Sequence, residues 1–165
     1  MSEVETNNYF EKMRNKLYKW ENRFIKLAEH IATWSKDPST KVGAVIVDDN
    51  HRVISVGYNG FAKNVNDDND RYNNRSIKYE VILHAEINSI LFAKRDLTDC
   101  SIYVYPIPPC SRCASAIIQS GIKKVVSIKP SIEIYKRWGK NIELSETIFK
   151  EAGVQLIYMD SEKLE

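Results

Sequence analysis

The sequence is short of several features that would each announce a function. No apolar run approaches the roughly 20 residues needed to cross a bilayer, which excludes a membrane-spanning helix. Charge of neither sign prevails: 24 Lys and Arg against 22 Asp and Glu leave a formal net charge of +2. That is too small to mark nucleic acid or an anionic membrane as the main partner. The opening MSEVETNNYF lacks the basic-then-apolar order of a secretory signal, so the expected location is the cytoplasm, where thiols stay reduced. The three cysteines are then not a disulfide framework. Repeats and low-complexity tracts are absent too. What remains is a chain of 165 residues, 43% hydrophobic and 28% charged, a globular composition large enough for one continuous core. One domain over 1–165 is expected, with 1–19 as a helical or frayed extension.

Hydrophobic periodicity organises that chain. Trp20, Phe24, Leu27, Ile31 and Trp34 step by four and three, the stripe of an amphipathic helix, and SKDPST ends it with a proline and polar turn residues. Phe10, Met13 and Leu17 either prolong this helix or lie in a frayed segment. VGAVIV (42–47) and RVISVGY (52–58) read as β-branched strands of a hairpin that turns at DDNH. Residues 62–79 are polar, and so long a loop in a compact domain is usually functional or disordered. Beyond it come a helix over 81–94, a strand SIYVY (101–105), a helix over 111–119 stopped by Gly121, and a strand KKVVSI (123–128). A helix NIELSETIFKEAG (141–153) and a strand VQLIYM (154–159) finish the chain. Five strands alternating with helices imply a mixed sheet covered on both faces, an α/β layered domain.

Two short stretches carry chemistry. In LHAEINSI (83–90), His84 and Glu86 interrupt a run whose Ile87, Ile90 and Leu91 read as the buried face of a helix. In PPCSRCASAI (108–117), Cys110 and Cys113 stand three apart at a helix start, so their side chains share one face. The positive end of that helix favours thiolate over thiol, and thiolate is the form that ligates metal. If the two helix starts meet at one edge of the sheet, one imidazole and two thiolates converge and leave a fourth tetrahedral position open, the mark of a catalytic zinc site. Glu86 then has a role, moving the proton of an activated water. A lone C-x-x-C also fits redox helices and structural zinc. Cys100 has no partner at ligand spacing and reads as a small buried hydrophobe, while His30 and His51 read as surface or packing residues.

The pairing of H-x-E with P-C-x-x-C is similar to the signature of zinc-dependent nucleobase deaminases. Together with SKDPSTKVGAVIVDDNHRVISVGYNGF, HAEINSILFAKR and PPCSRCASAIIQSGIKKVV, it resembles the deoxycytidylate (dCMP) deaminase branch of the cytidine deaminase superfamily, over about residues 22–160. The resemblance implies the three-layer cytidine-deaminase-like fold, one catalytic Zn2+ held by His84, Cys110 and Cys113, and Glu86 as the proton carrier. It implies that Asn59 of GYNG meets the sugar or phosphate of the nucleotide and that Val42, Gly43 and Ala44 line the base pocket. Read without it, NG is an ordinary turn signal, though Gly57 and Gly60 beside Asn59 would let a ligand approach the backbone closely. For a 5′-phosphate the chain offers Lys41, Arg71, Arg75 and Lys78; an arginine fork suits a monophosphate best, and Arg75 is the leading choice. Family members of this branch are often hexamers regulated by dCTP and dTTP with Mg2+. Phe92 and Arg95 match positions linked to regulation and subunit contact, whereas by themselves they read as a core aromatic and an exposed helix charge.

The implied reaction is hydrolytic deamination of dCMP to dUMP and ammonia, supplying dUMP for thymidylate synthesis. Two other readings stand beside it. One is a deaminase of another nucleotide, nucleoside or base, and the near-neutral charge speaks against a nucleic-acid channel. The other is a noncatalytic nucleotide-binding protein with structural zinc, for which Glu86 would have no use.

Overall fold

The computed structural model describes residues 3–164. Helix α1 (Glu3–Ala32) opens the chain, so the segment before residue 20 does prolong the first helix. It is followed by β1 (Gly43–Val47), β2 (Val53–Tyr58), the short β3 (Gly60–Phe61), α2 (Asn69–Asn73), α3 (Arg75–Val81) and the short β4 (Ile82–Leu83). Then come α4 (Ala85–Ala93), β5 (Ser101–Tyr105), α5 (Ser111–Gln119), β6 (Lys124–Ile128), α6 (Ile132–Glu151) and β7 (Gln155–Met159). The five-stranded sheet runs β2-β1-β5-β6-β7, with β1 antiparallel to both neighbours and β5, β6 and β7 parallel. It is the mixed α/β sheet that the sequence implied.

Strand alternation divides the core into two layers. Val42, Ala44 and Ile46 face α4, α5 and α6, in a cluster with Ala85, Ile102, Val104, Ala114, Ile117 and Phe149. Val45 and Val47 face the other way, onto Phe24, Ile25, Ala28 and Ile31 of α1 with Tyr103 and Val126. The order of layers is α1, sheet, then α4, α5 and α6. Two glycines set the spacing. A Cβ on Gly43 would lie 2.1 Å from the Ala28 carbonyl oxygen, and one on Gly57 would lie 2.4 Å from both the Ala85 carbonyl oxygen and the Ser89 N. Only a bare backbone lets α1 and α4 pack this closely on the sheet.

Several boundaries differ from the sequence reading. The first helix ends at Ala32, and Trp34 beyond it is 51% exposed, edge-on to Tyr58. The second main helix begins at residue 85, because Ile82 and Leu83 pair with Phe61 and Gly60 and hold the chain extended up to His84. Leu91 is 54% exposed; the packed face of α4 is built from the small Ala85 and Ser89, which suits the close approach of Gly57. The polar stretch 62–79 is ordered into α2 and α3, whose starts are capped by Asp68 and Asn74. Helix α6 begins at Ile132, nine residues before the expected start at Asn141, at a Ser131 cap.

Candidate metal centre and active site

The antiparallel pairing of Gly43 with Tyr105 brings the start of β1 level with the end of β5. At that edge the chain leaves β5 for α5 and leaves β4 for α4, so both helix starts arrive together. His84 is the N-cap residue of α4 and Cys110 that of α5, and neither side chain makes a capping bond. Both are turned toward each other instead. His84 Nδ1 lies 3.5 Å from Cys110 Sγ and 3.3 Å from Cys113 Sγ, and the ligand atoms all lie within 4.8 Å of one another. Among the described residues this is the one such cluster.

A tetrahedral zinc with ordinary Zn–S and Zn–N lengths requires an S···N separation of about 3.6 Å. The two distances lie close to it, and the donor set of one imidazole and two thiols suits zinc. Protonation follows from the same contacts. A hydrogen bond from the Cys113 thiol, joined by one from His84, brings the Cys110 thiol down to about 4 despite burial. Donation to Cys110 and burial push Cys113 up. Binding of a metal there must expel whatever proton the thiols still hold. The bond to Cys110 keeps His84 above its usual value, with burial opposing.

Glu86 sits in the first turn of α4, only 4% exposed, and burial pushes its carboxyl up. The structure thus brings together His84, Glu86, Cys110 and Cys113. Val42 and Ala44 line the same side of the sheet as Ala85, beside this cluster. Gly43 does not: its Cα faces α1, because side-chain direction alternates along β1. Asn59 is buried, and its amide is engaged within the protein. Its Oδ1 accepts the Val42 N–H at 2.8 Å, and its Nδ2 donates to the Thr40 carbonyl at 2.9 Å and to Asp37 Oδ2 at 3.4 Å. Asn59 therefore fixes Val42 instead of reaching outward, and the neighbouring Gly57 admits α4 instead of a ligand.

That network was not read in the sequence. Asp37 Oδ1 also accepts Lys78 Nζ at 3.2 Å and the Ser39 N–H at 2.8 Å, and Ser35 Oγ donates to the Asn59 carbonyl at 2.8 Å. Lys78, offered above as a phosphate cation, is 3% exposed and committed to Asp37. Lys41 and Arg75 are exposed. Phe92 is 64% exposed and is not a core aromatic; Arg95, also exposed, donates to the Asp96 carbonyl. The acidic residues of the polar stretch have local uses as well, Asp67 paired with Lys36 at 2.6 Å and Asp68 capping α2.

Residues 18–129 match the family described as the cytidine and deoxycytidylate deaminase zinc-binding region. The chain belongs to that deaminase family. It is 48% identical over 141 residues to an uncharacterized deaminase encoded in the luxG 3′ region of Aliivibrio fischeri, a match covering 86% of this chain and 94% of the relative. It is 34% identical over 149 residues to the deoxycytidylate deaminase of Mus musculus, covering 87% of this chain and 81% of that one. The dCMP deaminase of cyanophage S-TIM5, in complex with dCMP and dUMP, shares its fold at a TM-score of 0.65 and 23% identity, over 83% of this chain and 94% of the phage protein. The chain places its H-x-E and P-C-x-x-C residues at two converging helix starts.

Proposed function

We propose that this chain holds one zinc ion through His84 Nδ1, Cys110 Sγ and Cys113 Sγ and deaminates dCMP to dUMP and ammonia. The observation that carries the reading is the convergence of two unspent N-cap side chains and Cys113 beside a buried carboxylate. A zinc ion bound there supplies Lewis acidity that makes water a nucleophile near neutral pH. The chain's own groups do the rest. Glu86 takes the proton of the attacking water, delivers it to N3 as C4 of the cytosine is attacked, and carries the next proton to the departing amine. Its buried setting raises proton affinity toward the range a shuttle needs. Val42, held in place by Asn59 and the Asp37–Lys78 pair, is assigned to the apolar wall of the base pocket, whereas Ala44 is fully buried in the core behind it. Lys41 and Arg75, which make no ion pair among the described residues, are assigned to the 5′-phosphate.

Residues 1–165 are taken as one such domain, supported by the two apolar clusters that share a single sheet. No helix among the described residues is long and apolar enough to cross a membrane; a cytoplasmic location is a further part of the proposal. Assembly into a homo-oligomer, with a hexamer favoured by the resemblance, extends the proposal. Exposed Leu91 and Phe92 on α4 supply apolar surface for it. Regulation by dCTP and dTTP with Mg2+ rests on the same resemblance and is tested by opposite shifts of the dCMP saturation curve.

The direct test is ammonia release from cytidine, deoxycytidine, CMP, dCMP and dCTP in parallel. dCMP is expected to be used far better than deoxycytidine, and Arg75→Ala to weaken dCMP use while sparing slow deoxycytidine turnover. Deoxycytidine as the better substrate would overturn the assignment.

A further inference from the structure

A helix leaves its first N–H groups without partners inside the helix, and the N-cap side chain ordinarily accepts one of them. In α5 the N-cap is Cys110, whose sulfur is turned to His84 and does not meet the Ser111 N–H. Help comes from α6. Asn141 Oδ1 accepts the Ser111 N–H at 2.9 Å, and Asn141 Nδ2 donates to Ser111 Oγ at 3.1 Å. One turn along the same face of α6, Ser145 Oγ donates to the Pro109 carbonyl at 2.9 Å from a side chain only 2% exposed. The peptide before Cys110 and the peptide after it are thus both gripped by polar groups of one neighbouring helix.

We propose that Asn141 and Ser145 are positioning residues for the metal, fixing the backbone on either side of Cys110 so that its sulfur is free to ligate. The proposal rests on the zinc reading above. Neither residue touches the cluster. Each acts through the orientation of Cys110, in the way that groups bonded to a ligand's surroundings set how well it binds metal. Without Asn141 the Ser111 N–H loses its acceptor, and the peptide after Cys110, which sets the direction of its side chain, loses one of its two anchors on α6.

The test is zinc retention, read apart from activity. Wild type and variants are loaded with zinc, titrated with a chromophoric zinc chelator, and melted with and without the metal. Asn141→Ala is expected to raise the zinc dissociation constant roughly tenfold and to lower the melting temperature of the loaded protein more than that of the zinc-free protein. Asn141→Asp keeps the acceptor and should recover most of the affinity. Ser145→Ala should weaken zinc binding by less. Ser111→Pro removes the N–H that Asn141 accepts, at a helical position that suits proline. In that background Asn141→Ala should cost nothing further, so a double-mutant cycle isolates the pair even if one single variant folds poorly. An unchanged dissociation constant in Asn141→Ala, or equal losses of melting temperature in both forms, would make the contact ordinary packing and overturn the inference. A wild-type protein that takes up no zinc would overturn the zinc reading itself, which the chelator titration distinguishes at once.

Discussion

The two ends of the sheet treat charge in opposite ways. At the end where β1 finishes and β5 and β6 begin, a cavity of about 250 Å³ opens between Asp49, His51, Tyr103 and Lys124. Its charges are settled in pairs: Lys123 with Asp49 and Lys124 with Glu21, each at 2.7 Å, while His51 stacks on Trp20 at 4.1 Å. At the other end, His84, Cys110 and Cys113 aim at one point, and the helices that carry them are left uncapped by their own side chains. Pairing satisfies most of these groups within the chain, Glu21 Oε2 being left without a hydrogen-bond partner. Convergence leaves groups incompletely satisfied and favours an ion that completes them. Side chains of similar chemistry thus stabilise the fold at one end and build a site at the other.

Breaking the convergent end should have the largest effect. Cys113→Ala or His84→Ala should lose zinc and turnover together, because two protein ligands hold the ion poorly; metal analysis of the purified protein checks this, and a full zinc complement would remove the residue from the site. Next in size, Glu86→Ala should lower kcat by roughly 10²- to 10⁴-fold with zinc still near one per chain, since the proposal gives the carboxylate proton transfer and no place among the ligands. A third test reaches the wall behind the site. Asp37→Ala leaves the buried Lys78 ammonium without its partner, and urea unfolding should show a loss of about 3–5 kcal/mol. The smallest effect belongs to the paired end: Lys123→Ala, at a pair whose side chains are 46% and 65% exposed, should cost under about 1 kcal/mol and leave zinc and kcat unchanged. A large loss of zinc there would erase the contrast between the two ends.

The candidate metal cluster was legible in the sequence because a site built at two helix starts fixes short spacings along the chain, H-x-E in one place and C-x-x-C in the other. The strands were legible for a different reason. β1 is buried along its whole length, so GAVIV is an uninterrupted apolar run. The first half of α6 was not legible, since Ile132, Tyr135 and Trp138 are exposed and trace no buried stripe. Nor was the network of Asp37, Asn59 and Lys78: Asp37 lies in a polar turn, Asn59 and Lys78 read as nucleotide contacts, and the three meet only in the folded chain. Asn141 and Ser145 stood inside a recognised helix beside Ile142 and Phe149, where the apolar pattern drew attention and two polar residues on the packed side did not. A signal was present for them: a serine at a position that the stripe predicts to be buried asks for a partner.

The central claim is that the two helix starts hold one zinc with three protein ligands and an open fourth position. Zinc K-edge absorption spectroscopy of the loaded protein reads that shell directly. The expected spectrum has two sulfur scatterers at about 2.3 Å and two light scatterers, one of them an imidazole nitrogen, at about 2.0–2.1 Å. A shell with no sulfur, or a closed shell of four protein ligands, would contradict it.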